Sequence, residues 1–192
     1  MKSNTKKLTS VAILMALTVV MQFVSGMLPP IGGFSLSLVL IPIVLGAALH
    51  GPSVGALLGA TFGAVVFINC MTGADPGGAM VFQANPFLCF LVVMGKGVLA
   101  GFSSGLIYES LEHKNGYLAM LFAAIACPAV NTGVFISCMF TLFKDVLAAW
   151  AGGSNVVTYV LTGLVLANFI PELIINVIVC PASQRVVEMR GR

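Results

Sequence analysis

Apolar residues fill this chain in long, nearly unbroken runs, and polar residues gather in short interruptions between them. Six runs can be marked, over approximately residues 8–27, 34–49, 53–71, 86–108, 117–142 and 156–180. Most approach the ~20 residues that a helix needs to cross a ~30 Å hydrocarbon layer. The second is shorter, so it is expected to be tilted, bent or partly outside the core. None shows the apolar–polar alternation of a barrel strand. In lipid a segment must satisfy its own backbone N–H and C=O groups, which leaves helices for such runs. The pattern predicts an all-α integral membrane protein, a six-helix transmembrane bundle formed by residues 1–192 as a single domain.

Composition removes the soluble alternatives. Charged residues are 8% of the 192 and hydrophobic ones 59%, whereas a soluble domain carries about 25% charged residues. The formal charge of +3 is no nucleic-acid signal, and its placement matters more than its size. Lys2, Lys6 and Lys7 precede the first run, Arg185, Arg190 and Arg192 follow the last, and Lys114 sits between the fourth and fifth. The other side has only Lys144. Cytoplasmic connections carry the excess of Lys and Arg. Both termini are therefore expected in the cytoplasm, with loops near 28–34, 72–85 and 143–155 outside. A basic start before an apolar run also suits a signal peptide, but no small-x-small cleavage site follows, so the run reads as a helix. The outer connections "GMLPPIGG", "MTGADPGGAMVFQANP" and "AGGSN" are rich in Gly and Pro, while "HGPS" and "EHKNG" on the inner side are turn-like. Long irregular loops on one face suggest a site or lid there.

Small residues form stripes. Gly51, Gly55, Gly59 and Gly63 recur every fourth residue, as do Gly97, Gly101 and Gly105. That spacing lines one helix face, where missing side chains let helices approach closely. Ala12 and Ala16 make a smaller flat face, suited to docking a partner helix or to internal packing.

Few polar groups enter the runs. Lys96 lies ten residues after Pro86, which at ~1.5 Å per residue is ~15 Å deep, near mid-bilayer. A lysine there costs about 2.5–3.5 kcal/mol on insertion scales. Asn85, Cys89, Lys96 and Ser103 fit one inward face. Asn168, Glu172 and Asn176 follow at intervals of four, and Asn131 and Thr132 lie mid-helix in the fifth run. Two readings stay open: Lys96 and Glu172 form a structural ion pair, or Lys96 lines a cavity and meets an acidic or carbonyl group of a ligand. A proton or ion pathway is a third. Cys70, Cys89, Cys127, Cys138 and Cys180 are scattered without a CxxC pair and read as apolar filler. His50 and His113 are far apart, so neither a metal site nor a cofactor is expected. No phosphate loop, Ser/His/Asp set or H-E-x-x-H appears, so the chain is not expected to be an enzyme.

The order of several motifs resembles a known family. These are "AILMA" in the first run, "LIPIVLGAALHGPSVGALLGATFG" across the second and third, "NPFLCFLVVMGKGVLAGFSSGLIYESL" in the fourth and "ANFIPELIINVIVCPA" in the sixth. They resemble the substrate-binding S components of energy-coupling factor (ECF) vitamin transporters of prokaryotes, over nearly the whole chain. The resemblance implies a subunit of the cell membrane that binds one vitamin from outside, in a pocket of helices four to six and the outer loops. Its site residues would be Lys96, Asn131, Asn168, Glu172, Asn85, Phe87 and Cys89. Pro29, Pro30, Gly32 and Gly33 would belong to a lid, with Asp75 in the next outer loop. Ala12 and Ala16 would contact a transmembrane coupling protein, and two partner ATPases would hydrolyse ATP. A charged, amide-rich pocket suits a carboxylate-bearing vitamin, with pantothenate first, riboflavin next, then folate or another. Aromatic platforms for a flavin would have to come from Phe82, Phe87 or Phe135. The competing functions are a self-contained, proton-coupled secondary transporter, which the absence of a recognisable inverted repeat disfavours, and a ligand-free membrane assembly factor.

Overall fold

A computed structural model describes residues 2–27 and 38–190, and within them every regular element is helical. In order these are α1 (Lys2–Met27), α2 (Leu40–His50), α3 (Pro52–Thr72), α4 (Pro76–Ala84), α5 (Pro86–Leu111), α6 (Gly116–Leu142) and α7 (Lys144–Ala151). A continuous rod follows: α8 (Val156–Tyr159), a π-helical stretch (Val160–Phe169) and α9 (Ile170–Ala182), with α10 (Gln184–Arg190) after it. Five segments are long and apolar enough to cross a membrane: Thr5–Met27, Pro52–Thr72, Pro86–Leu111, Gly116–Leu142 and Val156–Met189.

The second predicted span departs from that expectation. Its helix, α2, has 11 residues, so it is ~16 Å long and reaches about half the hydrocarbon thickness. Leu40, Ile43 and Val44 are completely buried, and α2 packs against α1, α3, α5, α6 and α9. Its all-round apolarity comes from enclosure by protein rather than by lipid. The start of that run, 34–37, and the predicted lid residues Pro29, Pro30, Gly32 and Gly33 lie outside the described residues. Two expected loops hold helices instead. Pro76, which lacks the N–H that a first helical turn leaves unused, opens α4. Asp145 sits in the first turn of α7, where a negative charge complements the helix dipole.

The glycine stripes of α3 and α5 face each other. A Cβ on Gly55 would strike the carbonyl of Gly101, one on Gly59 that of Gly97, and one on Gly63 would come within 2.7 Å of the Val93 oxygen. Gly105 closes the series against Pro52, 2.5 Å from its Cα. The two backbones are therefore in direct contact, the arrangement that lets dispersion hold helices together in lipid. Gly51 is a correction to the predicted stripe. It has φ +93 and nothing within 4 Å of a Cβ placed on it. It serves as the left-handed turn between α2 and α3, its N–H donating to the Ala47 carbonyl at 2.8 Å. On the next face, Ser104 Oγ donates to the Ala123 carbonyl at 3.2 Å, tying α5 to α6.

Candidate functional site

At the end of the bundle where α1 and α3 finish and α5 begins, the helices diverge around a cavity of about 280 Å³. α3 contributes Phe62 and Cys70, α5 contributes Cys89 and Lys96, and α6 contributes Asn131, Thr132 and Phe135. Leu164 and Asn168 come from the π-helical stretch, and Asp75 and Gly78 from the connection holding α4. α1 adds Gln22.

Lys96 is carried to the cavity floor by the α5 backbone, whose other face is fixed against α3 by the glycines. Its Nζ lies 4.9 Å from the ring centroid of Phe135 and 5.5 Å from that of Phe62. The electron-rich faces of two rings from α6 and α3 thus stabilise the ammonium, an attraction of about 2 kcal/mol per ring when desolvated. The carboxylates of Glu172 and, less strongly, Asp75 are within electrostatic reach of it. Phe135 in turn stacks on Trp150 of α7, with centroids 6.3 Å apart and planes at 28°. α7 therefore backs the wall against which Lys96 rests.

Four carboxamides, Gln22, Asn69, Asn131 and Asn168, line the same space, and three of them have an unmatched oxygen. Gln22 Oε1, Asn131 Oδ1 and Asn168 Oδ1 are buried and have no hydrogen-bond partner among the described residues. A buried acceptor left unmatched costs about 1–3 kcal/mol. Three such acceptors on one cavity can each take a hydrogen bond from a donor placed there. Their placement differs in origin. Asn131 sits on the inner face of α6, whereas Asn168 depends on the π-helical stretch, in which Ile170 N–H donates to the Val165 carbonyl five residues back. Pro171 has no N–H to give, and its ring crowds the carbonyl four residues earlier. The register ahead of it is thereby loosened, and such π segments recur at functional sites.

The structure separates the predicted site residues. Lys96, Asn131, Asn168, Cys89 and Asp75 share the cavity. Glu172 and Asn176 are 1% exposed and are not among its described lining residues. The intervals of four assumed α-helical turns throughout, and the π-to-α junction after Phe169 breaks that face. Asn176 Nδ2 donates instead to the Glu172 carbonyl at 2.9 Å. Asn85 caps α5, its Oδ1 accepting from Leu88 N–H at 3.0 Å. Phe87, two residues and ~200° around the helix from Cys89, is 68% exposed. Neither Asn85 nor Phe87 is among the described lining residues. Ala12 and Ala16 are exposed on α1 beside Ile13, Leu17 and Val20. Sequence reasoning missed Gln22, Asn69 and Phe62. Gln22 carried a usable signal, as a lone carboxamide inside an apolar run. Phe62 carried none, since a phenylalanine in an apolar helix is unremarkable until its neighbours are known.

The sequence pattern of the family "ECF transporter, substrate-specific component" matches residues 6–183. The chain is also 26% identical over 192 aligned residues to the pantothenic acid transporter PanT of Lactococcus lactis subsp. cremoris (strain MG1363), spanning 94% of this chain and 93% of that protein. A match over nearly the full length, on a bundle with five segments long and apolar enough to cross a membrane among the described residues, settles the class: the chain belongs to the substrate-specific component family of ECF transporters, multi-pass membrane proteins that bind a transporter's substrate.

Proposed function

We propose that this protein is the vitamin-binding subunit of an ECF-type importer of the prokaryotic cell membrane, and that its vitamin is pantothenate. The observation that carries the reading is the pairing of one ammonium with three partnerless carboxamide oxygens around one cavity. Pantothenate offers the complement: a carboxylate at one end, an amide in the middle and two hydroxyls at the other. Lys96 holds the carboxylate through a charge-assisted hydrogen bond. The two hydroxyls and the amide N–H, its three donors, go to Gln22, Asn131 and Asn168. The PanT relative supports the choice. So does the size of the cavity, at the small end of the range for ligand sites. Riboflavin fits less well, because of the three expected platforms Phe135 lines the cavity while Phe82 and Phe87 are not among its described lining residues.

In this reading the cavity end faces outward, both termini are cytoplasmic, and Lys96 serves the ligand rather than a structural pair with Glu172. Ala12 and Ala16 meet the coupling protein, and ATP hydrolysis by two partner subunits drives release. Native mass spectrometry of the detergent-purified protein, followed by calorimetric titration with pantothenate, tests it. One bound pantothenate per chain is expected. A stable protein that binds no pantothenate overturns the substrate. Pantothenate accumulation in liposomes by the chain alone, driven by a pH gradient, would favour a self-contained transporter.

A further inference from the structure

Among the described lining residues the charged side chains are Lys96 and Asp75, and the seating proposed above uses only Lys96. The two stand at different depths. Lys96 Nζ lies 5.5 Å from the ring centroid of Phe62. Cys70 comes eight residues later in α3, which at ~1.5 Å per residue is ~12 Å nearer the end of the bundle. There a Cβ on Gly78 would strike Cys70 Sγ and lie 2.9 Å from Asp75 Oδ2. The bare glycine thus leaves room for the carboxylate, and the cavity is polarised along its depth, with an ammonium at the floor and a carboxylate at the mouth. Asp75 also departs from what its place before α4 suggests. An N-cap Asp ordinarily accepts a hydrogen bond from the first turn, but the Asp75 side chain makes no capping bond. It stands half-buried in the cavity wall instead. The start of a helix attracts anions through its free N–H groups and its dipole. A carboxylate set before the first turn of α4 offsets that attraction.

We propose that Asp75 is a specificity-determining residue of the cavity, excluding ligands that carry a second anionic group at the end remote from the one Lys96 holds. The site then takes the free, monoanionic vitamin and rejects its phosphate ester. This inference rests on the function proposed above and deepens it. The carboxylate carbon and terminal hydroxyl of pantothenate are eight bonds apart, about 9 Å for an extended chain at ~3.4 Å per three bonds. With the carboxylate on Lys96, the terminal hydroxyl comes to the level of Asp75. A neutral hydroxyl is tolerated there, whereas a phosphate brings a charge of about −1.5 to −2. Turning the ligand over gives no relief, because the phosphate then sits on Lys96 and the carboxylate meets Asp75. Like charges a few Å apart in a partly desolvated site repel strongly enough to change affinity by about tenfold or more.

The test titrates the full-length, detergent-purified protein calorimetrically with pantothenate and with three analogues altered only at the terminal hydroxyl: an amine, an acetate ester and a phosphate ester. In the wild type the amine, which is positively charged, is expected to bind at least as tightly as the acetate ester. The phosphate ester, similar to the acetate ester in bulk, is expected to bind roughly tenfold more weakly or worse. Asp75→Asn keeps the size of the side chain and removes its charge. It should raise the affinity for the phosphate ester relative to the acetate ester by about tenfold, and Asp75→Glu should not. Equal affinity of the wild type for the two esters, equal failure to bind included, assigns the exclusion to size and overturns the proposal. So does an unchanged ratio in folded Asp75→Asn. The wild-type series decides the matter by itself if the variant does not fold. Pantothenate binding with a flat series defeats this inference alone, whereas absence of pantothenate binding defeats the substrate assignment and this inference with it.

Discussion

Replacing Lys96 by Met separates what the lysine does for the fold from what it does for a ligand. Met keeps an unbranched stem of similar length and removes the charge. Placing the ammonium near mid-bilayer costs about 2.5–3.5 kcal/mol. The two ring contacts, at 4.9 and 5.5 Å, return up to about 2 kcal/mol each in a desolvated site. The opposing contributions nearly cancel, so Lys96→Met is expected to change stability by no more than about 1 kcal/mol. For a chain of this size that is a shift of roughly 2–4 °C in Tm. Binding has no such compensation. Losing a charge-assisted hydrogen bond to a carboxylate costs about 1.5–3 kcal/mol, which weakens affinity roughly tenfold to a hundredfold. Thermal unfolding in detergent gives the first quantity and calorimetric titration with pantothenate the second. A fall in Tm of more than ~10 °C, with wild-type affinity in the protein still folded, would refute this account. Lys96 would then be a structural charge whose removal strands its partner.

The remaining predictions address other links. Gly59→Ala sets a methyl group against the Gly97 carbonyl and is expected to destabilise the bundle by about 1–3 kcal/mol. Gly95→Ala, with nothing within 4 Å of the new carbon, should leave Tm unchanged, and equal effects would discredit the backbone contact. Trp150 is the single tryptophan of the chain and stacks on a ring that touches Lys96. Its fluorescence should shift on pantothenate binding and lose that response in Phe135→Leu. Ala12→Leu adds bulk on an exposed face far along α1 from Gln22. It should leave pantothenate affinity unchanged while lowering ATP-driven uptake in liposomes with the partner subunits, and lost binding would sink the docking assignment.

The sequence by itself determined the class of molecule. Lipid forces each spanning segment to close its own hydrogen bonds, so long apolar runs could only be helices, and five were legible within a few residues. It also determined which faces of α3 and α5 are bare, because glycine spacing is a local property. The place of Lys96 ten residues beyond Pro86, inside α5, followed from counting residues. Tertiary structure decided what the counting could not reach. It enclosed α2 in protein, and sequence apolarity cannot distinguish that surrounding from lipid. It put the two glycine faces against each other rather than against other helices. It gave Lys96 the rings of Phe62 and Phe135, side chains from helices distant in sequence, where the sequence offered only Glu172 as an obvious partner. It turned Asn168 into the cavity and Glu172 away from its described wall, because a π-helical stretch changes the angle per residue that any spacing argument assumes. Gln22 shows the same limit: its polarity was visible in the first run, but which way that run is rotated is settled only by the helices packed around it.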